Sequence, residues 1–145
     1  MTHARQTIRD AITTVCSGLT TTGTKVYSSR VFPMADANLP GLIVYTSNEE
    51  IDEEEGKLAK YQHRNFSLVV EGYAKVTSGL DDKLDDIASE VETAIFGATI
   101  SNIFALDLVS TEIELSDGLE TEVGKIILTF QVQYLTSEGS PNTAL

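Results

Sequence analysis

The sequence is poor in the residues that would place it in several familiar classes. It has one cysteine, Cys16, so an internal disulfide framework and a Cys-rich zinc site are both excluded. It has two histidines, His3 and His63, and no tryptophan. Its ten phenylalanines and tyrosines do not interleave with basic residues as an RNA-stacking platform requires. The ten glycines are scattered, and neither a Walker-type nor a dinucleotide-type phosphate loop occurs. No apolar run approaches the length of a membrane helix. The opening Met1-Thr-His-Ala-Arg-Gln has no apolar core of the kind a secretory signal carries. Positive charge is also scarce: 10 Lys and Arg stand against 22 Asp and Glu, a net charge of −12. That balance argues against a nucleic-acid backbone or an anionic bilayer as the main partner. What remains is the expectation of a soluble, acidic domain of 145 residues folded in a reducing compartment.

Periodicity organises this chain into alternating elements. From Thr2 to Leu19, the residues Ile8, Ala11, Ile12, Val15 and Leu19 form one apolar stripe at helical spacing. Arg5, Arg9 and Asp10 are expected on the opposite side, and Gly18 with the following threonines ends the helix. Val26–Val31 reads as a short strand stopped by Pro33, and Leu42–Thr46 as a second. Between Phe66 and Val76, apolar and polar residues alternate with period two, which predicts a long strand with one buried face. Ser78 and Asp81 have the spacing of a capping box before a second helix. Its buried stripe is Leu80, Leu84, Ile87, Val91 and Ile95, and Gly97 closes it. Two strands follow, about 105–115 and 125–136, with Ser116-Asp117-Gly118 as the turn.

The order α-β-β-β-α-β-β predicts an α+β fold: a two-layer sandwich with both helices on one face of a mostly antiparallel sheet. Residues 1–137 are expected to form one domain and 138–145 a flexible C-terminal tail.

The most unusual stretch is Glu49, Glu50, Asp52, Glu53, Glu54 and Glu55, six acids within seven residues. Without them the net charge falls to −6, so this segment carries half the excess. Pairing 42–46 with the long strand places a turn near 54–57 and makes the outer half, 47–64, a projecting hairpin facing solvent or another chain. These acids together with Arg64 are therefore the candidate interaction residues. Substituting all six acids by Ser or Asn is expected to leave the domain folded.

Catalytic and metal chemistry find no footing in these residues. Cys16 lies on the inner side of the first helix, where a free cysteine is a small buried hydrophobe. His3 sits near a terminus, and His63 beside Arg64 on a polar strand. No base is therefore placed beside a nucleophile. The acidic run lacks the spacing of an EF-hand, and consecutive acids point in different directions, so only diffuse Mg²⁺ or Ca²⁺ association is expected. No enzyme activity, cofactor or dedicated metal site is expected.

The segments His3-Ala-Arg-Gln-Thr-Ile-Arg-Asp-Ala-Ile12, Val26-Tyr-Ser-Ser-Arg-Val-Phe-Pro33 and Leu39-Pro-Gly-Leu-Ile-Val-Tyr-Thr46, followed by the acidic turn, carry a resemblance. In element order and length this chain resembles the tail-terminator proteins of long-tailed bacteriophages, the minor tail protein U group. The similarity is sharpest from residue 3 to about 55. It implies a structural virion protein at the head-proximal end of the tail, assembled in the host cytoplasm. It further implies a ring, usually of six copies, that ends tail-tube polymerisation and joins the head–tail connector protein. Its partners would be other copies of itself, the tail tube protein and the connector. DNA would pass through the bore without specific binding, which an acidic ring favours by repelling phosphate. Head–tail joining and tail-completion proteins share this size and texture, and remain open alongside a small ligand-binding regulatory module.

Overall fold

The computed structural model describes residues 2–28, 39–52, 61–116 and 122–145. Its elements are α1 (Ala4–Val15), β1 (Val26–Tyr27), β2 (Gly41–Asp52), β3 (Tyr61–Val76), α2 (Leu80–Gly97), β4 (Ala105–Ser116), β5 (Glu122–Ser137) and β6 (Ser140–Ala144). The strands form one open sheet in the order β1-β2-β3-β5-β4, with β6 also pairing β5. Among the described residues only the short β1–β2 pairing is parallel; β2–β3, β3–β5, β4–β5 and β5–β6 are antiparallel. This is the expected α+β architecture, with one more strand.

The alternation in β3 does what period two requires. Phe66, Leu68, Val70 and Ala74 are buried toward the helices, as are Ile126, Leu128, Phe130, Val132 and Tyr134 of β5. α2 lays its whole predicted stripe, Leu80, Leu84, Ile87, Val91 and Ile95, into this core, and Ala88 joins it. Fully burying side chains of this size is worth about 1.5–3 kcal/mol each, which offsets the entropy of ordering the helix. Gly72 of β3 lies beneath α2: a Cβ there would stand 2.6 Å from Ile87 Cγ2. The absent side chain sets how closely the helix approaches the sheet.

Three local expectations give way. α1 stops at Val15, short of Leu19; its buried residues are Ala4, Ile8 and Ile12, followed by the buried C-cap Cys16. Gly18, at φ +90, turns the chain, and Gly18 and Gly23 close a small loop by backbone hydrogen bonds. Val15 and Leu19 pack only partly buried at the margin of the core. At the start of α2, Ser78 does not cap: the N-cap is Gly79 in a left-handed conformation with no side-chain cap bond. Asp81 and Asp82 still occupy the first turn, where the helix dipole favours them.

Residues 138–145, expected as a flexible tail, fold back. Gly139 at φ +80 makes the turn, β6 pairs with β5 through Thr136 and Ala144, and Leu145 N–H donates to the Leu135 carbonyl. Ala144 packs against the core cluster that contains Ala4. A short polar strand gains little from its own side chains, so composition alone does not reveal it. β5 runs past the start of β4, which pairs no further than Gln133, and its last residues accept β6 on that open side.

Candidate interaction surface at the hairpin end

The hairpin of β2 and β3 is present, and its register carries Glu49 opposite Phe66, Ile51 opposite Arg64 and Asp52 opposite His63. β5 runs alongside β3 over the same stretch, pairing Arg64 with Tyr134 and reaching Tyr61 at Ser137. The polar half of the hairpin from Ser47 to Asp52 and Tyr61 to Arg64 is therefore part of the sheet and does not project on its own. Sequence reasoning placed it in solvent because it holds few apolar residues. The sheet accommodates those polar groups by pairing them.

Glu49 shows how. A register shift between Thr46 and Asn48 resets the alternation and turns Glu49 toward the helix layer. Its side chain is 9% exposed and accepts hydrogen bonds from Arg5 Nη1 at 2.8 Å, Arg64 Nη1 at 2.8 Å and Tyr134 Oη at 2.7 Å. Arg64 also donates through Nε to Thr136 Oγ1 at 2.9 Å. Arg5 and Arg9, expected on the solvent side of α1, both reach toward β2, with Arg9 donating to Thr46 Oγ1 at 3.0 Å. Burial pushes the Glu49 carboxyl pKa up, but the bonds from Tyr134, Arg64 and Arg5 outweigh it and hold it below the ordinary value. The Tyr134 hydroxyl is shifted upward, by burial first and by the carboxylate next. His3 caps α1, accepting the Arg5 N–H on Nδ1 at 3.1 Å. Desolvation, then Arg5 and Arg64, lower its pKa, as a neutral capping imidazole requires.

The opposite face of the sheet carries a second buried carboxylate that sequence reasoning left among ordinary strand residues. Glu71 accepts from the Tyr45 hydroxyl, from Tyr73 Oη at 2.8 Å and from Lys125 Nζ at 3.2 Å. Lys125 also bridges to Glu114 of β4 at 3.3 Å. Burial raises the Glu71 pKa, and the two tyrosines and the lysine more than reverse it. The available sequence signal was a lone carboxylate in the middle of an apolar strand, which must find donors on its neighbours.

The remaining nominated residues fall in two groups. Glu50 is exposed on β2, opposite Asn65, and Asp52 ends the strand. Glu53, Glu54 and Glu55 lie outside the described residues, as does the turn expected near 54–57. Thus the structure brings Glu49 and Arg64 together as an internal pair and leaves Glu50 on the surface.

Around this pair, one end of the sheet collects exposed apolar side chains. Ile51 is exposed on the helix side, in register with Arg64, while Tyr61 and Phe104 are exposed on the side of His63. The Phe104 ring lies 4.9 Å from that of His63, which in turn meets Gln133 at 3.1 Å. Next to them a shallow groove runs between the end of α2 and the start of β4, lined by Phe96, Ile100, Ile103, Phe104 and Leu106. A second groove, of about 370 Å³, separates α1 from β6 and is walled by small and neutral residues, among them Thr7, Asn102 and Asn142. Among the described residues no group of three or more His, Cys, Asp and Glu is arranged to hold a metal ion. Cys16 is fully buried, and desolvation pushes its thiol pKa up to about 12, far from a reactive thiolate. No helix among the described residues is long and apolar enough to cross a membrane.

No protein-family model matches the chain, and no curated protein matches it. Among solved structures, a chain from the virion of a native gene transfer agent particle is similar over 90% of this chain and 92% of that one, at 16% identity and a TM-score of 0.46.

Proposed function

We propose that this chain is a structural virion protein and that it acts as a tail terminator: copies close into a ring, usually of six, that ends tail-tube polymerisation and joins the tail to the head connector. The observation that carries this reading is the hairpin end of the sheet, where Phe104 stands exposed against His63, Tyr61 is exposed on the same face and Ile51 is exposed on the helix side. Large apolar side chains left in water on both faces of one sheet end favour a surface that another protein covers. The interior pair Glu49–Arg64 braces that end, so the contact surface rests on a fixed frame. The resemblance of the first 55 residues to tail terminators supplies the identity of the assembly. Its partners would then be further copies of this chain, the tail tube protein and the connector protein. At −12 per copy, a ring would repel the phosphate backbone passing through its bore.

The test is native mass spectrometry over a range of concentrations, with and without Mg²⁺ to screen the acidic copies, repeated in the presence of tail tube protein. The expected result is a closed hexamer, alone or on the tube. A dimer at every concentration would move the reading to a ligand-binding module, and the groove between α1 and β6 would be its first candidate pocket. A chain that stays monomeric alone and with tube protein would overturn the terminator reading.

A further inference from the structure

The strand β4 closes the sheet on the side away from β1, and its outer edge has no partner strand among the described residues. Edge strands are ordinarily blunted by short length, proline, charge (lysine above all) or a bulge. β4 is long, twelve residues from Ala105 to Ser116, without Lys, Arg, Pro or Gly; its protection is three acids and one bulge. Val109, Ile113 and Leu115 along it are 53%, 45% and 56% exposed. Its one irregularity is the register shift between Leu108 and Ser110, beyond which Ser110–Ser116 pairs with β5 without interruption. The regular, half-apolar edge beyond that bulge, Ser110–Ser116, is a template for strand addition.

The charge around the edge says what kind of strand it takes. β4 carries Asp107, Glu112 and Glu114. Beside it, a groove between α2 and β4 is walled by Asp85, Ser89, Glu92 and Thr111. Asp81, Asp82 and Asp86 continue the acidic flank along α2, against Lys83 as the only cation of that helix. An antiparallel second β4 in the register centred on Ile113 sets Glu112 directly against Glu114. Pairing it with the other open edge, β2 beyond the two residues covered by β1, brings Glu50 and Asp52. Like charges directly opposed across a ladder are destabilising. We infer that β4 docks an extended, cationic segment of a different protein, with Lys or Arg alternating with β-branched residues, and that it is not the seam between copies of this chain. The inference does not rest on the terminator reading, because it follows from the edge and its charge alone.

The probe is a synthetic peptide alternating Lys and Val, about ten residues long so that it spans the strand. It is titrated into the full chain with backbone NMR and amide hydrogen exchange as readouts. Saturable binding with new protection along Ser110–Ser116, weakened by salt, is expected. Glu112→Lys and Ile113→Ser, both exposed and therefore compatible with folding, should each weaken it several-fold. A peptide alternating Glu and Val should not bind. Equal binding by a peptide alternating Lys and Ser would reduce the effect to bulk charge and overturn the proposal. So would protection that appears elsewhere, or an oligomer that Ile113→Ser dissolves, since the edge would then belong to a second copy. A chain that fails the ring test can still pass this one.

Discussion

Replacing Glu49 with Ala removes the carboxylate that three donors share, and the loss can be worked from its surroundings. Tyr134 is fully buried, so its hydroxyl would be left without an acceptor. Leaving a buried donor unsatisfied costs about 1–3 kcal/mol. Arg64, at 15% side-chain exposure, would lose its charge partner. Breaking a buried pair by removing one member costs about 3–5 kcal/mol, and partial access of Arg5 to solvent lowers the effective figure. A net loss of about 3 kcal/mol is expected, corresponding to about 6–12 °C in Tm for a chain of this size. Glu49→Gln keeps an acceptor and should lose about half as much. The comparison variant replaces Glu50, Asp52, Glu53, Glu54 and Glu55 together with Asn and leaves Glu49 alone. It should melt within about 2 °C of the parent, as expected of the exposed Glu50 and of an acid run with few apolar residues to bury. Thermal and urea denaturation followed by circular dichroism at neutral pH reads both. The pH dependence gives a second check. The Glu49 pKa is lowered on folding, so its contribution is complete above the ordinary value of 4.5 and disappears as pH falls through the lower folded value. In Glu49→Gln that part of the acid destabilisation should vanish. The reasoning fails if Glu49→Ala melts normally, or if the five-acid variant loses more than Glu49→Ala.

Three further outcomes follow from the core. Gly72→Ala should destabilise by about 1–3 kcal/mol in urea titration, because the new methyl meets Ile87 at 2.6 Å and α2 must shift. Val91→Asp should abolish cooperative unfolding at 25 °C by placing a carboxylate at a fully buried position facing the sheet; a normal melting curve would refute that packing. Cys16 should resist a thiol reagent in the native state and react at once in denaturant, with native labelling at a free-thiol rate as the contrary result.

Strong periodicity made most of the fold legible. The stripe from Leu80 to Ile95 survives intact, and the inward face of 66–76 is the expected one, but Val69 and Glu71 on the other face are buried too, so the expected single buried face fails in the middle of β3. The polar groups were harder to place. Glu49 lies in an acid run that reads as solvent-facing, and only the register shift two residues earlier and the position of Tyr134 in β5 turn it inward. Arg5 and Arg9 were set on the outer side of α1 by their charge, while their length lets them reach back to β2. β6 was missed for a related reason: Ser140–Ala144 earns its place from the edge of a neighbouring strand, which no local pattern records. For Glu49 and for the two arginines the deciding partners lie tens of residues away in the chain, whereas β6 folds onto residues only three to eight positions before it.

That separation bears on how each molecule reaches its native state. Sixteen-residue β3 has β2 on one side as soon as the hairpin closes, but its other side waits for β5, which begins at Glu122. During synthesis the interval covers α2 and β4, neither of which can complete the sheet without β5. α1 reaches β2 early through Arg5 and Arg9, but its contact with the core is completed only when Ala144 arrives. The chain therefore belongs among slow, non-local folders whose nascent forms hold a bare apolar ladder. A cell making many copies at once would need to keep those half-built ladders apart until β5 arrives to seal each one.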